Sequence, residues 1–257
     1  MDSQNSVITL TFGDSAENHV GMEKIGTMVK EGEGYTVAEL KQLQEKLNTL
    51  QRVYCDIYTL NTGDQPEACV LVLRNGVNAI LRYKVSSEAG LFREQAELEV
   101  DKKAFMYGRV VNKNARWNLC FDDVGHEPDY EAGKGRIVPY SEIPLTSFLR
   151  ESLVQFFGEK ARGLKCEANY YYDVKKCGIG YHGDSERRKV IGVRLGASME
   201  MHYRWYKDGQ PVGDEICVPL YGGDIYIMSE KAVGTDWKKK SIYTLRHATG
   251  CGKFTNL

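Results

Sequence analysis

The chain has 257 residues, 42% of them hydrophobic, which is enough for one good-sized core or a core plus a smaller extension. Its 34 basic residues nearly cancel its 35 acidic ones, for a net charge of -1, so no global field draws it to nucleic acid or to a lipid surface. No apolar run approaches the roughly 18 residues that span a bilayer, and seven scattered cysteines without a CxxC pair argue for reduced thiols rather than disulfides or zinc. The polar start MDSQNS lacks the charged and apolar segments of a secretory signal. The expected setting is therefore cytoplasmic or nuclear: intracellular, not secreted, with no membrane partner.

In chain order, SVITLTF alternates like a strand, and TVAELKQLQEKLNTL then spaces Val37, Leu40, Leu43, Leu47 and Leu50 along one helical face. Thr36 with Glu39 three residues later predicts a capping box. CDIYTL and EACVLVLRNGVNAILRY have strand character, with Asn75 and Gly76 suited to a tight hairpin turn. Residues 1–85 are thus expected to form a small N-terminal α+β extension. Residues 86–257 then form a second unit. A helix runs through Phe92 and Leu98, followed by the basic and aromatic stretch FMYGRVVNKNARWNLCF. A further helix after Pro144 gathers Leu149, Leu153 and Phe156 on one face. From Lys165 onward the pattern is all strand. CEANYYYDV, KVIGVRLG, MEMHYRWY, EICVPL, GDIYIMS and SIYTLRHA recur at about ten-residue spacing, which predicts a sandwich or barrel of short antiparallel strands.

GYHGDSERR places His182 two residues before Asp184. Two such ligands on a short turn, joined by a third from a distant strand, occupy one face of an Fe(II) ion and leave positions open for co-substrate and oxygen. Asn169 and Tyr171 lie on a strand about a dozen residues upstream, and VIGVRLG, MEMHYRW and GGDIYIMSE follow. Across residues 105–250 this arrangement resembles the AlkB family of Fe(II)- and 2-oxoglutarate-dependent dioxygenases. The resemblance implies an α+β fold with a double-stranded β-helix (jelly-roll) core and flanking helices. It implies Fe(II) as cofactor and 2-oxoglutarate as co-substrate, with Asn169 and Tyr171 contacting the latter. Arg246 would pair with the distal carboxylate of 2-oxoglutarate, and Lys240 stands where the family carries a second arginine.

Family spacing places the third ligand, normally histidine, at Asp236. A carboxylate there would complete a His182, Asp184, Asp236 site. The alternatives are His247 or His202 after a change of register, or no third protein ligand. Period-two alternation puts Lys240, Ile242, Thr244 and Arg246 on one strand face and Tyr243, Leu245 and His247 on the other, so His247 has the wrong parity if Arg246 faces inward. The family resemblance further implies oxidation or demethylation of a base in DNA or RNA. Lys113, Arg116 and Trp117 fall where the family places its nucleotide lid, and Tyr203, Arg204 and Trp205 repeat the basic and aromatic mixture. An oxygenase acting on a protein side chain or small molecule, or a catalytically silent nucleic-acid-binding module, fits the same inventory.

Overall fold

Alternating side chains in SVITLTF do form a strand, β1 (Val7–Gly13). In the computed structural model, which describes residues 1–51 and 53–256 (the side chains of Leu50 and Gln51 excepted), this strand lies in the middle of the largest sheet. Strands β2 (Ser15–Glu17) and β3 (Lys24–Gly26) make a small hairpin. Helix α1 (Val37–Lys46) starts on the expected capping box: the Thr36 hydroxyl accepts from the Glu39 amide and the Glu39 carboxylate accepts from the Thr36 amide. Such a cap stabilises a helix by about 1 kcal/mol. The helix runs on into a wider π-type turn, Leu47–Gln51. Leu40 and Leu47 are fully buried, whereas the expected role of Leu50 lies outside the described side chains.

Strands β4 (Cys55–Thr59) and β5 (Cys69–Leu73) pair antiparallel. The hairpin expected at Asn75–Gly76 does not form. Asn75 adopts a left-handed conformation with φ 55°, but it opens helix α2 (Gly76–Leu81), whose Val77, Ile80 and Leu81 enter the core. The i, i+3, i+4 spacing of those residues governs the segment, and the turn dipeptide serves as a helix start. Helix α3 (Glu88–Ala96) carries Phe92 as expected but ends before Leu98; then come hairpin β6 (Lys103–Met106) and β7 (Arg109–Asn112), and strands β8 (Trp117–Asp122) and β9 (Ile137–Pro139). Helix α4 (Pro144–Phe157) starts at Pro144, whose missing amide costs nothing in a first turn. Strands β10 (Lys165–Tyr171), β11 (Gly178–His182), β12 (Val190–Gly196), β13 (Met201–Lys207), β14 (Gln210–Val218), β15 (Ile225–Met228) and β16 (Thr244–Gly250) complete the sheets. Short helices α5 (Glu230–Val233) and α6 (Gly252–Thr255) flank β16.

The large sheet has eight strands in the order β4-β5-β15-β12-β1-β10-β8-β9, and the small one has four, β11-β16-β13-β14. Residues 1–85 are therefore not set apart from the rest. β1 pairs antiparallel with both β10 and β12, and β5 continues the same sheet through β15. An α+β protein dominated by β-sheet results, and no closed barrel is found among the described residues.

Period-two alternation assigns the faces of the large sheet. Ile8, Leu10, Phe12, Ile191, Val193 and Leu195 pack under α1 to α4 with Leu40, Ile80, Leu91, Leu149 and Leu153. The opposite face, with Val70, Val72, Val190 and Met228, packs against Met201, Tyr203, Trp205 and Leu245 of the small sheet. Where the second layer meets polar rather than apolar side chains, a cavity opens between the sheets.

A His-Asp-His cluster as candidate metal centre

The cavity has a volume of about 710 Å³. From the small sheet it is lined by His182 at the end of β11 and by His247 and Thr249 on β16. From the large sheet come Thr9 and Thr11 on β1, Glu167, Asn169 and Tyr171 on β10, and Arg194 on β12. Register explains the grouping. His182 pairs with His247, and His247 with Tyr203, in one row across the small sheet. Asn118, Asn169, Thr9 and Arg194 form a matching row across the large one.

His182, Asp184 and His247 offer ligand atoms within 4.8 Å of one another. The Asp184 Oδ1 atom is 3.6 Å from His182 Nε2 and 3.4 Å from His247 Nε2. Donors about 2.1 Å from a shared ion are about 3.0 Å apart at a right angle and about 3.4 Å at a tetrahedral one, so this cluster is nearly closed to ligating distance. His182 Nδ1 lies 2.8 Å from the Gly180 carbonyl, to which it donates, so Nε2 keeps its lone pair for a metal. The turn holding the pair is tightly built: the Asp184 amide donates to Val233, and a Cβ on Gly183 would lie 2.0 Å from the Gly234 carbonyl oxygen.

Electrostatics favour the ligating forms. Burial, then the neighbouring His247, lowers the His182 pKa to about 3, leaving a neutral imidazole. For Asp184, burial alone would raise the pKa, but Arg187 and the two histidines outweigh it and hold the group ionised. Arg187 is itself buried and bonded to Glu167 at 2.6 Å and to Glu186 at 2.5 Å.

The remaining expected site residues divide between the cavity and other surroundings. Asn169 and Tyr171 line the cavity, and the Asn169 carbonyl oxygen accepts from Arg116 at 2.7 Å and Asn118 at 2.8 Å. Asp236 lies outside the cluster, paired with Lys231 at 2.7 Å, and the third member is His247. The parity argument inverts with the β13–β16 register unbroken, the one irregularity in the pairing of β16 lying on β11 between Ile179 and His182: β16 turns the Leu245, His247 and Thr249 face inward. Arg246 consequently packs on the outer face against Tyr206, 3.8 Å from its ring centroid, and Trp237. Exposed Lys240 precedes β16 and lines no part of the cavity. His202 also faces outward, paired with Glu215. Tyr203 and Trp205 are core residues, the latter donating to the Leu60 carbonyl, so with the outward Arg204 they form no joint binding patch. Lys113 bonds Asn18 at 2.7 Å, and Trp117 stacks on Tyr172 with centroids 4.3 Å apart; of Lys113, Arg116 and Trp117, Arg116 alone reaches the cavity.

Arg194 is the residue that sequence reasoning missed. It is 1% exposed, donates to the Thr9 hydroxyl at 2.9 Å and the Thr249 hydroxyl at 3.1 Å, and its Nε has no partner. Among the described residues no carboxylate lies within ion-pairing distance of it. A signal was present: VIGVRLG sets one arginine in a strand otherwise apolar on both faces, where only a specific partner offsets a buried charge.

A sheet-dominated α+β protein with a His-Asp-His cluster able to hold a metal, beside a buried arginine, is thus the class that fold and site define. No family model matches the chain. It is 47% identical over 260 residues to the uncharacterized protein R156 of Acanthamoeba polyphaga mimivirus, covering 99% of each sequence, and it belongs to one family with that viral protein.

Proposed function

We propose that the chain is an Fe(II)- and 2-oxoglutarate-dependent dioxygenase. The observation that carries the reading is one cavity with His182, Asp184 and His247 on one side and the unpaired guanidinium of Arg194 on the other. Two imidazoles and one carboxylate suit Fe(II), and three protein donors leave coordination positions open. A dicarboxylate fits the remainder, since the Arg194 fork can take a carboxylate that no protein group supplies. Supporting the jelly-roll interpretation, the chain crosses between the two sheets as it passes from β10 to β16, and β1 fills the slot between β10 and β12.

When bound, the iron with 2-oxoglutarate and oxygen supplies oxidation of a C–H bond, with release of succinate and carbon dioxide. The chain's own residues hold and shield that chemistry. His182, fixed through Gly180, presents a neutral Nε2, and His247 directs its Nε2 at Asp184, which stays ionised beside Arg187. Asn169, held by Arg116 and Asn118, presents its amide toward the cavity. Tyr226 occupies the space above Gly192, where a Cβ would sit 1.9 Å from its ring, and limits the cavity's depth.

For the substrate we favour a nucleic-acid base. Supporting this, Lys24 and Lys238 are exposed and Trp237 partly so where they line the cavity, which joins phosphate-seeking charge to a stacking surface. Incubation with Fe(II), ascorbate, 2-oxoglutarate and methylated oligonucleotides should yield succinate together with mass loss from the methylated base. Succinate with unchanged bases would move the substrate to protein or small molecules. No succinate with any substrate would end the oxygenase reading.

A further inference from the structure

On the outer face of the small sheet, away from the cavity, two triads of donors overlap at His202 and Cys217. β13 and β14 pair so that His202 lies opposite Cys217, and alternation puts Glu215 on the same face as Cys217. His202 Nδ1 is 3.2 Å from Glu215 Oε2 and 3.3 Å from Cys217 Sγ, and Cys217 Sγ is 3.5 Å from Glu215 Oε2. Glu200, just before β13, adds a carboxylate, and its donor atom lies with those of His202 and Cys217 within 4.8 Å of one another. An ordinary ion pair accounts for Glu215 and His202, but not for a thiol and a second carboxylate at the same point.

Zinc bonds of about 2.0 Å to nitrogen, 2.3 Å to sulfur and 2.0 Å to oxygen at tetrahedral angles require separations of about 3.5 Å for N to S, 3.3 Å for N to O and 3.5 Å for S to O. The three distances in the protein lie within a few tenths of an ångström of these. Two further features point the same way. The Tyr181 hydroxyl donates to the other oxygen of Glu215, orienting the carboxylate as outer partners of metal ligands do. The pairing also slips between Tyr203–Ile216 and Trp205–Val212, so that Gly213, with φ 72°, and Asp214 bulge beside Glu215.

We propose that Glu200, His202, Glu215 and Cys217 bind a borderline-soft divalent cation of the zinc class, in a structural rather than catalytic site. Four protein donors leave no open position, in contrast to the three of the inner cluster. On binding, the Cys217 thiol releases its proton to solvent and the sulfur bonds the metal, with no change of oxidation state. The cation ties β13 to β14 and, through Tyr181, to the strand that ends in His202's inward-facing counterpart, His182.

Cobalt(II) added to the reduced, metal-free full-length protein tests this directly, because a thiolate ligand gives a near-ultraviolet charge-transfer band and the inner cluster contains no sulfur. The expected result is a saturable band, removed by zinc. Cys217→Ser, at an exposed position that tolerates the change, should abolish it. His202→Gln should weaken binding at least tenfold, whereas His182→Ala should leave the band intact. Absence of a band in the unmodified protein, or its survival in Cys217→Ser, overturns the proposal, and neither result bears on the oxygenase reading.

Discussion

Replacing Arg194 by Met separates the anchoring of a co-substrate from general cavity structure. The side chain is 1% exposed, and its bonds within the protein are to two hydroxyls, with Nε left over. Met keeps the length and apolar stem while deleting the charge, and removing a buried charge that lacks an ionic partner leaves stability close to unchanged. Binding of 2-oxoglutarate behaves differently. Hydrogen bonds to charged groups contribute about 1.5 to 3 kcal/mol each, and a fork makes two, so loss of about 3 kcal/mol is a conservative figure. At about 1.4 kcal/mol per decade, Kd rises on the order of 100-fold. Calorimetry with manganese(II) in the inner site can measure this, using 2-oxoglutarate and 2-oxobutyrate, which lacks the distal carboxylate. The variant should lose affinity for the first and not the second, so that the coupling isolates the carboxylate. Equal losses for both acids, or none for either, would refute the assignment. Arg246→Ala, on the outer face, should change Kd by less than about threefold, because its guanidinium lines no part of the cavity and reaches the wall only through Trp237, on which it packs.

His247→Ala should weaken metal binding by more than about 100-fold, since even outer partners of ligands are worth 10- to 100-fold, whereas Asp236→Ala should leave metal content intact and cost under about 1 kcal/mol in thermal unfolding. Gly183→Ala should lower metal affinity sharply, measurable by competition with a chromogenic chelator, because its Cβ would meet the Gly234 carbonyl oxygen at 2.0 Å and displace the turn between the two ligands. Stability of the metal-free protein should fall as pH drops from about 6.5 toward 3: the folded state holds His182 neutral down to about 3, so the unfolded chain binds more protons across that window. The slope from this one group approaches about 1.4 kcal/mol per pH unit, and His182→Gln should remove it from chemical denaturation curves.

How far the sequence foretold the structure depended on whether a feature was local. The capping box at Thr36, the helix after Pro144 and the succession of strands beyond Lys165 rest on neighbours in sequence, and each is present. His182, at the end of β11, and Asp184, two residues on, do share one cluster. The third member of the cluster depends on which face of β16 turns inward, and that is decided by the apolar row Tyr203, Trp205 and Leu245 rather than by counting back from an arginine. Fixing Arg246 as inward reversed the parity and moved the ligand to Asp236. Likewise, nothing within SVITLTF says that its partners lie beyond residue 160, so an N-terminal extension was expected where the structure has the centre of a sheet. Arg194 escaped notice because a charge within an apolar strand gains meaning only from the cavity it faces.

The position of β1 also bears on the order in which the protein acquires its shape during synthesis. Its two partners run from Lys165 to Tyr171 and from Ile191 to Gly196, so once made β1 lacks its first partner until about 150 further residues have followed and its second until about 180 have. At about 5 to 20 residues per second, that delay is on the order of 10 to 40 seconds. Throughout it VITLTFG is an unpaired apolar strand, a natural client for holding chaperones. Closure of the cavity becomes a late event, since the wall that carries Thr9 is made long before the strands that secure it.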